Sequence, residues 1–499
     1  MEAATEVRIA IVGAGFAGIG MAIGLRRAGI EDFVVLERAE DIGGTWQANT
    51  YPGCQCDVPS HLYSFSFEPN PGWSRTYSRQ REIWDYLRRC VQRHGLGAHL
   101  RLGAEMTGAT WHSEQQHWYV QTTGGDLSAE LLIDATGPLS HPARPSIPGL
   151  EDFDGTLFHS ASWDHEHDLA GERVAVIGTG ASAIQLVPQI ADRVGAMHVF
   201  QRTAPWILPH SDRPITRSER RLYRAVPMAQ RAVRAAVYWG REAFVIVFAK
   251  RPGLARIVER AARLHLRRQV RDPALRRRLA PDFRLGCKRV LISNQFYPAL
   301  TRPNVELVTE PIAAIEGRDV VLAGGGRREV DTIILGTGFH VTDPPTAWLV
   351  RGRGGRTLAE RVGPSPRAYL GTAMAGFPNL FKLIGPNTGL GHSSMVFMIE
   401  SQLSYIIDAI RTMDERGIAS VEVRSDAVKD YNDELQAKMP HTVWATGCSS
   451  WYLDARGYNT TLWPDFTFRF RRRTRSFDAS AYICKPRAGA AADAPATVA

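Results

Sequence analysis

The sequence has few cysteines and no long hydrophobic run, and both absences restrict the class of protein. Its six cysteines are scattered among 499 residues, with neither the spacing of a zinc site nor the density of a disulfide-rich secreted fold. The most apolar stretch, residues 235–249, is interrupted by Arg241 and Glu242 and is too short to span a bilayer. The N-terminus lacks the basic and apolar regions of a signal peptide. We therefore expect a cytoplasmic protein with no metal site and no membrane partner.

No nucleic-acid recognition motif accompanies the positive charge of the chain. A formal net charge of +9 is found in nucleic-acid-binding proteins, but also in proteins whose arginine-rich surface attracts an anionic cofactor. Without a recognition motif, we expect no nucleic-acid partner. The length exceeds what one hydrophobic core normally serves, so two or three domains are expected.

A glycine-rich turn follows the first predicted strand. Residues 7–12 form a short apolar run that ends in Gly13-Ala14-Gly15-Phe16-Ala17-Gly18, and a helical pattern follows. Gly13 allows the tight turn, Gly15 lets a pyrophosphate approach the backbone, and Gly18 lets the helix pack closely on the strand. The next predicted strand ends at Glu37, whose carboxylate can hold a ribose hydroxyl. These features together predict a dinucleotide site.

The same pattern recurs in the middle of the chain. A strand over 174–177 leads into Gly178-Thr179-Gly180-Ala181-Ser182-Ala183, and the strand after the helix is followed by Arg202 and Thr203 in place of an acid. A carboxylate there would repel a 2′-phosphate, whereas arginine can pair with it, so this site is predicted to prefer NADPH. Two such sites in one chain indicate a tightly held FAD that receives a hydride from NADPH.

The two motifs predict an α/β protein with two Rossmann-type dinucleotide-binding domains and a helical insertion. Strands over 131–134 and 331–335 end in small residues and mark chain crossings between the domains, with a Pro-rich linker at 141–145. The arginines of the insertion are expected either on a solvated face or in a wall over the substrate cavity. The predicted boundaries are 1–142 and 346–485 for the FAD domain, 151–211 and 284–345 for the NADPH domain, 212–283 for the insertion and 486–499 for a disordered tail.

Several segments resemble the Baeyer-Villiger monooxygenases, a family of flavoprotein oxygenases. Residues 153–164 fit the pattern F-x-G-x-x-x-H-x-x-x-W-D through His159 and Trp163, which resembles the family fingerprint and lies, as in the family, between the nucleotide sites. The resemblance continues through 43–57, 60–67, 286–289 and 448–453, and so covers nearly the whole chain apart from the tail. Within the family, the sequence looks closest to the hydroxyacetophenone-type branch.

The resemblance implies the reaction. Oxygen adds to the reduced flavin to form a C4a-peroxyflavin, which inserts one oxygen atom next to a ketone carbonyl and gives an ester or a lactone. Arg289 resembles the catalytic arginine of the family, and Asp57 resembles the carboxylate beside it. A guanidinium stays protonated at any working pH, so it can stabilise the peroxide anion and the tetrahedral adduct without donating its proton.

The motifs and the resemblance together give the predicted cofactor contacts. Lys288 resembles the residue that joins Arg202 and Thr203 on the 2′-phosphate, and Trp451 resembles a tryptophan that closes a loop over NADP and substrate. His159 and Trp163 are expected to act through the linker and the positions of the domains. The complete set of predicted site residues is Asp57 and Arg289 as the catalytic pair and also as cofactor contacts, Gly13, Gly15, Gly18, Glu37, Thr45, Trp46, Tyr63, Met106 and Met395 for FAD, and Thr179, Gly180, Ser182, Gln185, Arg202, Thr203, Lys288 and Trp451 for NADPH.

Three alternatives to ketone oxidation have to be compared with these residues. The same flavin peroxide, when protonated, can oxidise a sulfide or an amine. A flavin disulfide reductase needs a redox-active pair, usually C-x-x-C, and Cys54-Gln55-Cys56 has the wrong spacing. A non-enzymatic flavoprotein would have no use for Arg289 and Asp57. The expected partners are therefore molecular oxygen and a small ketone or sulfide, whose identity the sequence does not specify.

Overall fold

The computed structural model describes residues 4–448, 450–454 and 456–487. Its two largest sheets each carry one of the two glycine-rich turns. The first sheet begins with Thr5–Val12, whose last four residues are buried, and this strand pairs in parallel with Phe33–Leu36 on one side and with Leu127–Asp134 on the other. The sheet contains, from edge to edge, Val350–Arg351, Met106–His112, His117–Thr122, Leu127–Asp134, Thr5–Val12, Phe33–Leu36 and Leu100–Arg101, with Leu380–Lys382 also paired to Leu127–Asp134.

The second sheet is entirely parallel. Its central strands are apolar and buried, as expected where helices cover both faces of a parallel sheet. From edge to edge the strands are Val305–Val308, Ala196–Phe200, Arg173–Ile177, Thr332–Leu335 and Thr156–His159. The prediction of two Rossmann-type domains is confirmed.

Three small sheets complete the described strands. Their members are the antiparallel Ile312–Glu316, Asp319–Leu322 and Arg327–Glu329, the parallel pair Ile207–Leu208 and Leu291–Ile292, and the antiparallel pair Ile418–Val423 and Tyr482–Pro486.

The helices cover the sheets and form the insertion. Phe16–Arg27 follows the first glycine turn and packs on Met395–Glu415, while Ala181–Ile190 follows the second turn. Among the described residues, no helix has both the length and the apolar character that crossing a bilayer requires. The other α-helices are Thr45–Ala48, Gln80–Arg93, Arg217–Ala225, Pro227–Val245, Ala255–Gln269, Pro273–Arg278, Phe296–Ala299, Leu358–Val362, Ser425–Lys438 and Thr467–Arg473, with a π-helical turn at Ile246–Lys250.

The two chain crossings between the domains run beside each other. The backbone N–H of Ala143 donates to the carbonyl of Gly338 at 2.8 Å, and that of His340 donates to the carbonyl of His141 at 2.9 Å. His159 is buried, and its ring meets the ring of Phe339 edge-on at 5.7 Å, so the fingerprint segment touches the second crossing. The role of His159 in positioning the domains stays a prediction.

Two expectations about the chain need correction. The arginines of the insertion are not all on a solvated face, because Arg234 donates to the carbonyls of His61 and Ser64 in the first domain at 2.6 and 3.0 Å. Pro486, the first residue of the predicted tail, is the last residue of a strand and pairs with Ile418. The remaining tail residues, 488–499, lie outside the described residues.

Candidate active site

A cavity of about 2500 Å³ lies at the carboxyl ends of the strands of both large sheets. It exceeds the roughly 300–1,000 Å³ that suffice for one small ligand, so its size suits two dinucleotides and a substrate. Of the nineteen residues predicted for the site, eighteen line this cavity: Gly13, Gly15, Glu37, Thr45, Trp46, Asp57, Tyr63, Met106, Thr179, Gly180, Ser182, Gln185, Arg202, Thr203, Lys288, Arg289, Met395 and Trp451.

Gly18 is the predicted residue that does not line the cavity. A Cβ atom at Gly18 would collide with the carbonyl oxygen of Gly13, and one at Gly13 would lie 2.7 Å from the carbonyl oxygen of Ala135. Gly13 also has a φ of +104°, a conformation that favours glycine. These two glycines therefore shape the turn. At Gly15 a Cβ atom would come no closer to its nearest neighbour, Gly44, than 3.6 Å, so the backbone there is open to a pyrophosphate.

Glu37 is fixed at the entrance of this turn. One of its carboxylate oxygens accepts from the backbone N–H of Ala14 at 2.8 Å, and the other accepts from that of Ala39 at 3.0 Å. The side chain is buried beside the cavity. Each oxygen keeps a second lone pair for a ribose hydroxyl, so the position fits the FAD ribose.

The second turn repeats the geometry of the first. Gly178 has a φ of +113°, and its Cβ would collide with the carbonyl oxygen of Gly336 at the second crossing. Arg202 and Lys288 lie near each other on the cavity wall beyond this turn, where burial and the charge of Arg202 lower the pKa of the Lys288 amine. Two neighbouring cations attract an anion, which fits the 2′-phosphate of NADPH.

Asp57 and Arg289 form an ion pair on the same cavity wall. Arg289 donates to Oδ2 of Asp57 from Nε at 3.0 Å and from Nη2 at 2.5 Å. Burial raises the pKa of the Asp57 carboxyl, but the charge of Arg289, its hydrogen bond and the charge of Arg241 outweigh burial, and the net pKa lies below the ordinary value. The Asp57 charge in turn raises the pKa of Arg289. Both groups are therefore ionised at neutral pH.

Arg241 is a second cation beside Asp57 that the sequence did not reveal as a site residue. It comes from the insertion, where its guanidinium donates to the hydroxyl of Tyr77 at 3.1 Å and contacts the carbonyl oxygen of Asp57 at 3.5 Å. In the sequence, Arg241 is distinguished only by its position within an apolar stretch. Helical spacing would have shown that it shares a face with Arg234 and Tyr238, but not what that face contacts.

Gln185 connects the two domains beneath the cavity. Its side-chain carbonyl accepts from the hydroxyl of Tyr51 at 2.9 Å and from the backbone N–H of Gln55 at 3.2 Å, and its amide donates to the carbonyl of Gln55 at 2.9 Å. The residue predicted to contact a cofactor therefore also ties the second domain to the segment that ends at Asp57. On the first domain, the indole N–H of Trp46 donates to the hydroxyl of Tyr63 at 3.1 Å.

A disulfide joins Cys287 to Cys448, which the scattered cysteines did not predict. The bond links the residue before Lys288 to the loop that carries Trp451 across a separation of 161 residues. Trp451 lines the cavity and remains 46% exposed, so it is placed at the cavity mouth. Cys54 and Cys56 are buried free thiols.

The fold and the two turns define a class, the flavin- and pyridine-nucleotide-dependent oxidoreductases. Residues 10–226 match the family model described as pyridine nucleotide-disulphide oxidoreductase. Two similar solved structures are an oxidized steroid monooxygenase bound to NADP (32% identity, TM-score 0.85) and a closed cyclohexanone monooxygenase (26% identity, TM-score 0.87). Each comparison covers 97% of this chain and 100% of the other.

Full-length relatives identify the family within this class. A Baeyer-Villiger monooxygenase of Streptomyces coelicolor is 51% identical over 480 residues, which cover 96% of this chain and 92% of the relative. One of Pseudomonas aeruginosa is 48% identical over 483 residues, with the same coverage of each chain. The chain belongs to the Baeyer-Villiger monooxygenase family. The prediction of an NADPH-dependent flavin monooxygenase with FAD and NADPH as cofactors is confirmed.

Proposed function

We propose that Arg289 is the catalytic cation of a ketone oxidation and that Asp57 holds it in place. The observation that carries the proposal is the Asp57–Arg289 pair on the wall of a cavity that both glycine turns also line. When bound, FAD reduced by NADPH supplies the activated oxygen. A permanently charged guanidinium there stabilises negative charge as it develops on the substrate oxygen.

Asp57 leaves part of the guanidinium free for this task. It accepts from Nε and Nη2 of Arg289, and no acceptor for Nη1 is present among the residues that the structure describes. The carboxylate therefore fixes the plane of the guanidinium while one nitrogen remains available to an anion in the cavity. Tyr452 is buried near the pair, which contributes to a water-poor environment in which such charges act strongly.

The charge of the pair favours a ketone over a sulfide as the substrate. An anionic oxygen attacks the electrophilic carbon of a ketone, whereas oxidation of a sulfide or an amine requires a protonated, electrophilic oxygen. Arg289 stabilises the anionic form and, with its raised pKa, does not act as a proton donor at neutral pH. Sulfide or amine oxygenation remains the second candidate because the same cavity admits both substrates.

The finer assignments belong to the same proposal. We assign FAD to the sheet that contains the first glycine turn and NADPH to the second, with the domain boundaries predicted from the sequence up to residue 485 and with 212–283 as the insertion. We also place the chain in the hydroxyacetophenone-type branch and in the cytoplasm. The four free thiols fit a reducing compartment, whereas the Cys287–Cys448 disulfide is of a kind that is rare there, so the oxidation state of Cys287 and Cys448 in cells tests the assignment.

The test is to incubate the FAD-loaded enzyme with NADPH, oxygen and either aryl or cyclic ketones or matched thioethers. Mass spectrometry should detect an ester or a lactone from at least one ketone. Sulfoxides from the thioethers without any ester would replace the proposed substrate class by the second candidate. Ester formation that Arg289→Ala leaves unchanged would retain the ketone and reject the assigned residue.

A further inference from the structure

The helix Pro227–Val245 has an exposed side that is almost entirely apolar, and the side that packs on the protein carries polar residues as well as Val233 and Val237. Gln230 donates from its side-chain amide to the carbonyl of Asn70 at 2.8 Å. Buried Glu242 accepts from the backbone N–H and the hydroxyl of Thr467 at 2.9 and 2.8 Å. An ordinary surface helix is apolar only on the side that faces the core, whereas this helix is also apolar on its exposed side. The residues exposed along the opposite side of this helix and the following turn are Pro227, Met228, Arg231, Ala232, Ala235, Ala236, Trp239, Gly240, Ala243 and Ile246, and only Arg231 among them is charged.

A second apolar stripe follows on the helix Ala255–Gln269. Leu254, Ile257, Ala261 and Leu264 recur at intervals of three and four residues, which places them on one side of the helix, and all are exposed. We call the exposed apolar residues of these two helices the outer stripes. Exposed arginines stand beside the second stripe at positions 256, 260, 263, 267 and 268.

The outer stripes are an unusual concentration of exposed apolar surface. Met228 is 64% exposed, Trp239 is 59% exposed and Ile257 is 64% exposed. In the described part of the chain, eight of the fifteen exposed large hydrophobic side chains lie between residues 212 and 283. A patch of this kind, surrounded by polar residues, is typical of an interaction surface.

The same segment holds all of the excess positive charge. Residues 212–283 contain nineteen arginine and lysine residues against six acids, a formal charge of +13, whereas the whole chain has +9. The rest of the chain is therefore negative by four charges. The insertion combines apolar stripes with strongly basic surroundings. A partner of this surface therefore has to offer both apolar groups and negative charge.

We propose that the insertion docks the enzyme on the surface of a membrane that contains anionic phospholipid. The apolar stripes would enter the boundary between headgroups and acyl chains, and the arginines would pair with lipid phosphates. A second copy of this chain would oppose one charge of +13 with another, and a nucleic acid would leave the apolar stripes without a partner. In this arrangement the protein lies on the surface of the bilayer. The proposal replaces the expectation that the protein has no membrane partner.

The test is flotation of the FAD-loaded full chain with vesicles of phosphatidylcholine, alone or mixed in equal amounts with phosphatidylglycerol. We expect the enzyme to float with the mixed vesicles and to remain unbound with the neutral ones. Binding should fall when the ionic strength approaches about 1 M, where the Debye length is about 3 Å. Equal recovery with both kinds of vesicle, or with neither, overturns the proposal.

Variants of exposed residues distinguish docking through the outer stripes from other contacts. Met228→Glu combined with Ile257→Glu should lower vesicle partitioning about tenfold or more, as should Arg256→Glu combined with Arg260→Glu. The matched controls are Leu102→Glu for the apolar stripes and Arg89→Glu for the charges, both exposed outside the insertion. Flavin absorbance and NADPH oxidation with a water-soluble ketone should be unchanged in all of them.

Light scattering separates lipid docking from self-association. A wild-type dimer that Met228→Glu and Ile257→Glu convert to a monomer, without binding of either form to anionic vesicles, would assign the outer stripes to a second copy and reject the membrane. Vesicle binding that the stripe variants leave intact would also reject the assigned surface.

Discussion

Arg289 gives two hydrogen bonds to one oxygen of Asp57, and Arg241 approaches the backbone carbonyl of Asp57 from the insertion. Two cations from different parts of the chain therefore lower the pKa of the Asp57 carboxyl. Arg289 lines the cavity, whereas Arg241 does not appear among the described residues that line it. We accordingly treat Arg289 as catalytic and Arg241 as a positioning residue.

Arg241→Gln tests the positioning role. Loss of this charge should raise the pKa of Asp57, because the nearby positive charge lowers it in the wild type. A carboxylate with a lowered pKa contributes at higher pH and fails as the pH falls through that pKa. The acid limb of the profile of ester formation against pH should therefore move to higher pH in Arg241→Gln, and Arg241→Lys should restore part of it. If the dependence of ester formation on pH were the same in Arg241→Gln as in the wild type, Arg241 would have only a structural role.

Arg202→Ala tests the second nucleotide site. A charge-assisted hydrogen bond to the 2′-phosphate contributes about 1.5–3 kcal/mol, so the Michaelis constant for NADPH should rise roughly 10- to 150-fold while that for NADH hardly changes. Steady-state kinetics with both coenzymes measures this. Arg193→Ala, an exposed arginine paired with Asp168, is the control. An equal rise of the Michaelis constants for NADPH and NADH would contradict the assignment of Arg202 to the 2′-phosphate.

Gly15→Val tests the first nucleotide site. The wild-type enzyme should purify yellow, and a valine side chain should block the approach of the pyrophosphate to the backbone, so that the variant purifies without flavin. Gly97→Val is the control because a Cβ atom there meets open space. Flavin absorbance and thermal unfolding together distinguish loss of binding from loss of the fold. A yellow Gly15→Val protein would contradict the site.

Cys287→Ser tests the link between the Lys288–Arg289 segment and the loop of Trp451. In the wild type, the disulfide should leave four free thiols when the unfolded protein is titrated without reductant. Its removal should lower the free energy of unfolding by about 2–4 kcal/mol, which thermal unfolding can detect. Cys484→Ser, at an exposed free thiol, should have no such effect. Six free thiols in the wild type would show that the bond does not form.

The features that sequence reasoning predicted depend on local patterns. Gly13 and Gly178 lie at the ends of buried strands, and a turn with positive φ after such a strand is specified by its own few residues. The pairing of Asp57 with Arg289 came from the resemblance to the family, since 232 residues separate the two along the chain.

The features that were missed depend on tertiary packing. Arg241 acquires its role only because the insertion packs against the first domain at Tyr77. Cys287 and Cys448 meet across 161 residues, so no spacing rule could pair them. The helix Pro227–Val245 packs Val233 and Val237 on the protein, as its apolar pattern suggests, but that pattern does not show that Met228 and Trp239 stay exposed.

The most direct test of the central claim is the ester formed per NADPH oxidised by Arg289→Ala. Hydride transfer to the flavin does not need the guanidinium, whereas a developing oxyanion does, and stabilisation of such charge commonly contributes on the order of 3 kcal/mol or more. The account predicts a yellow protein that still oxidises NADPH, releases hydrogen peroxide and forms at least about a hundredfold less ester than the wild type. Arg289→Lys should also be impaired, because lysine keeps the charge but loses the planar fork. Ester formation by Arg289→Ala near the wild-type rate would contradict the account.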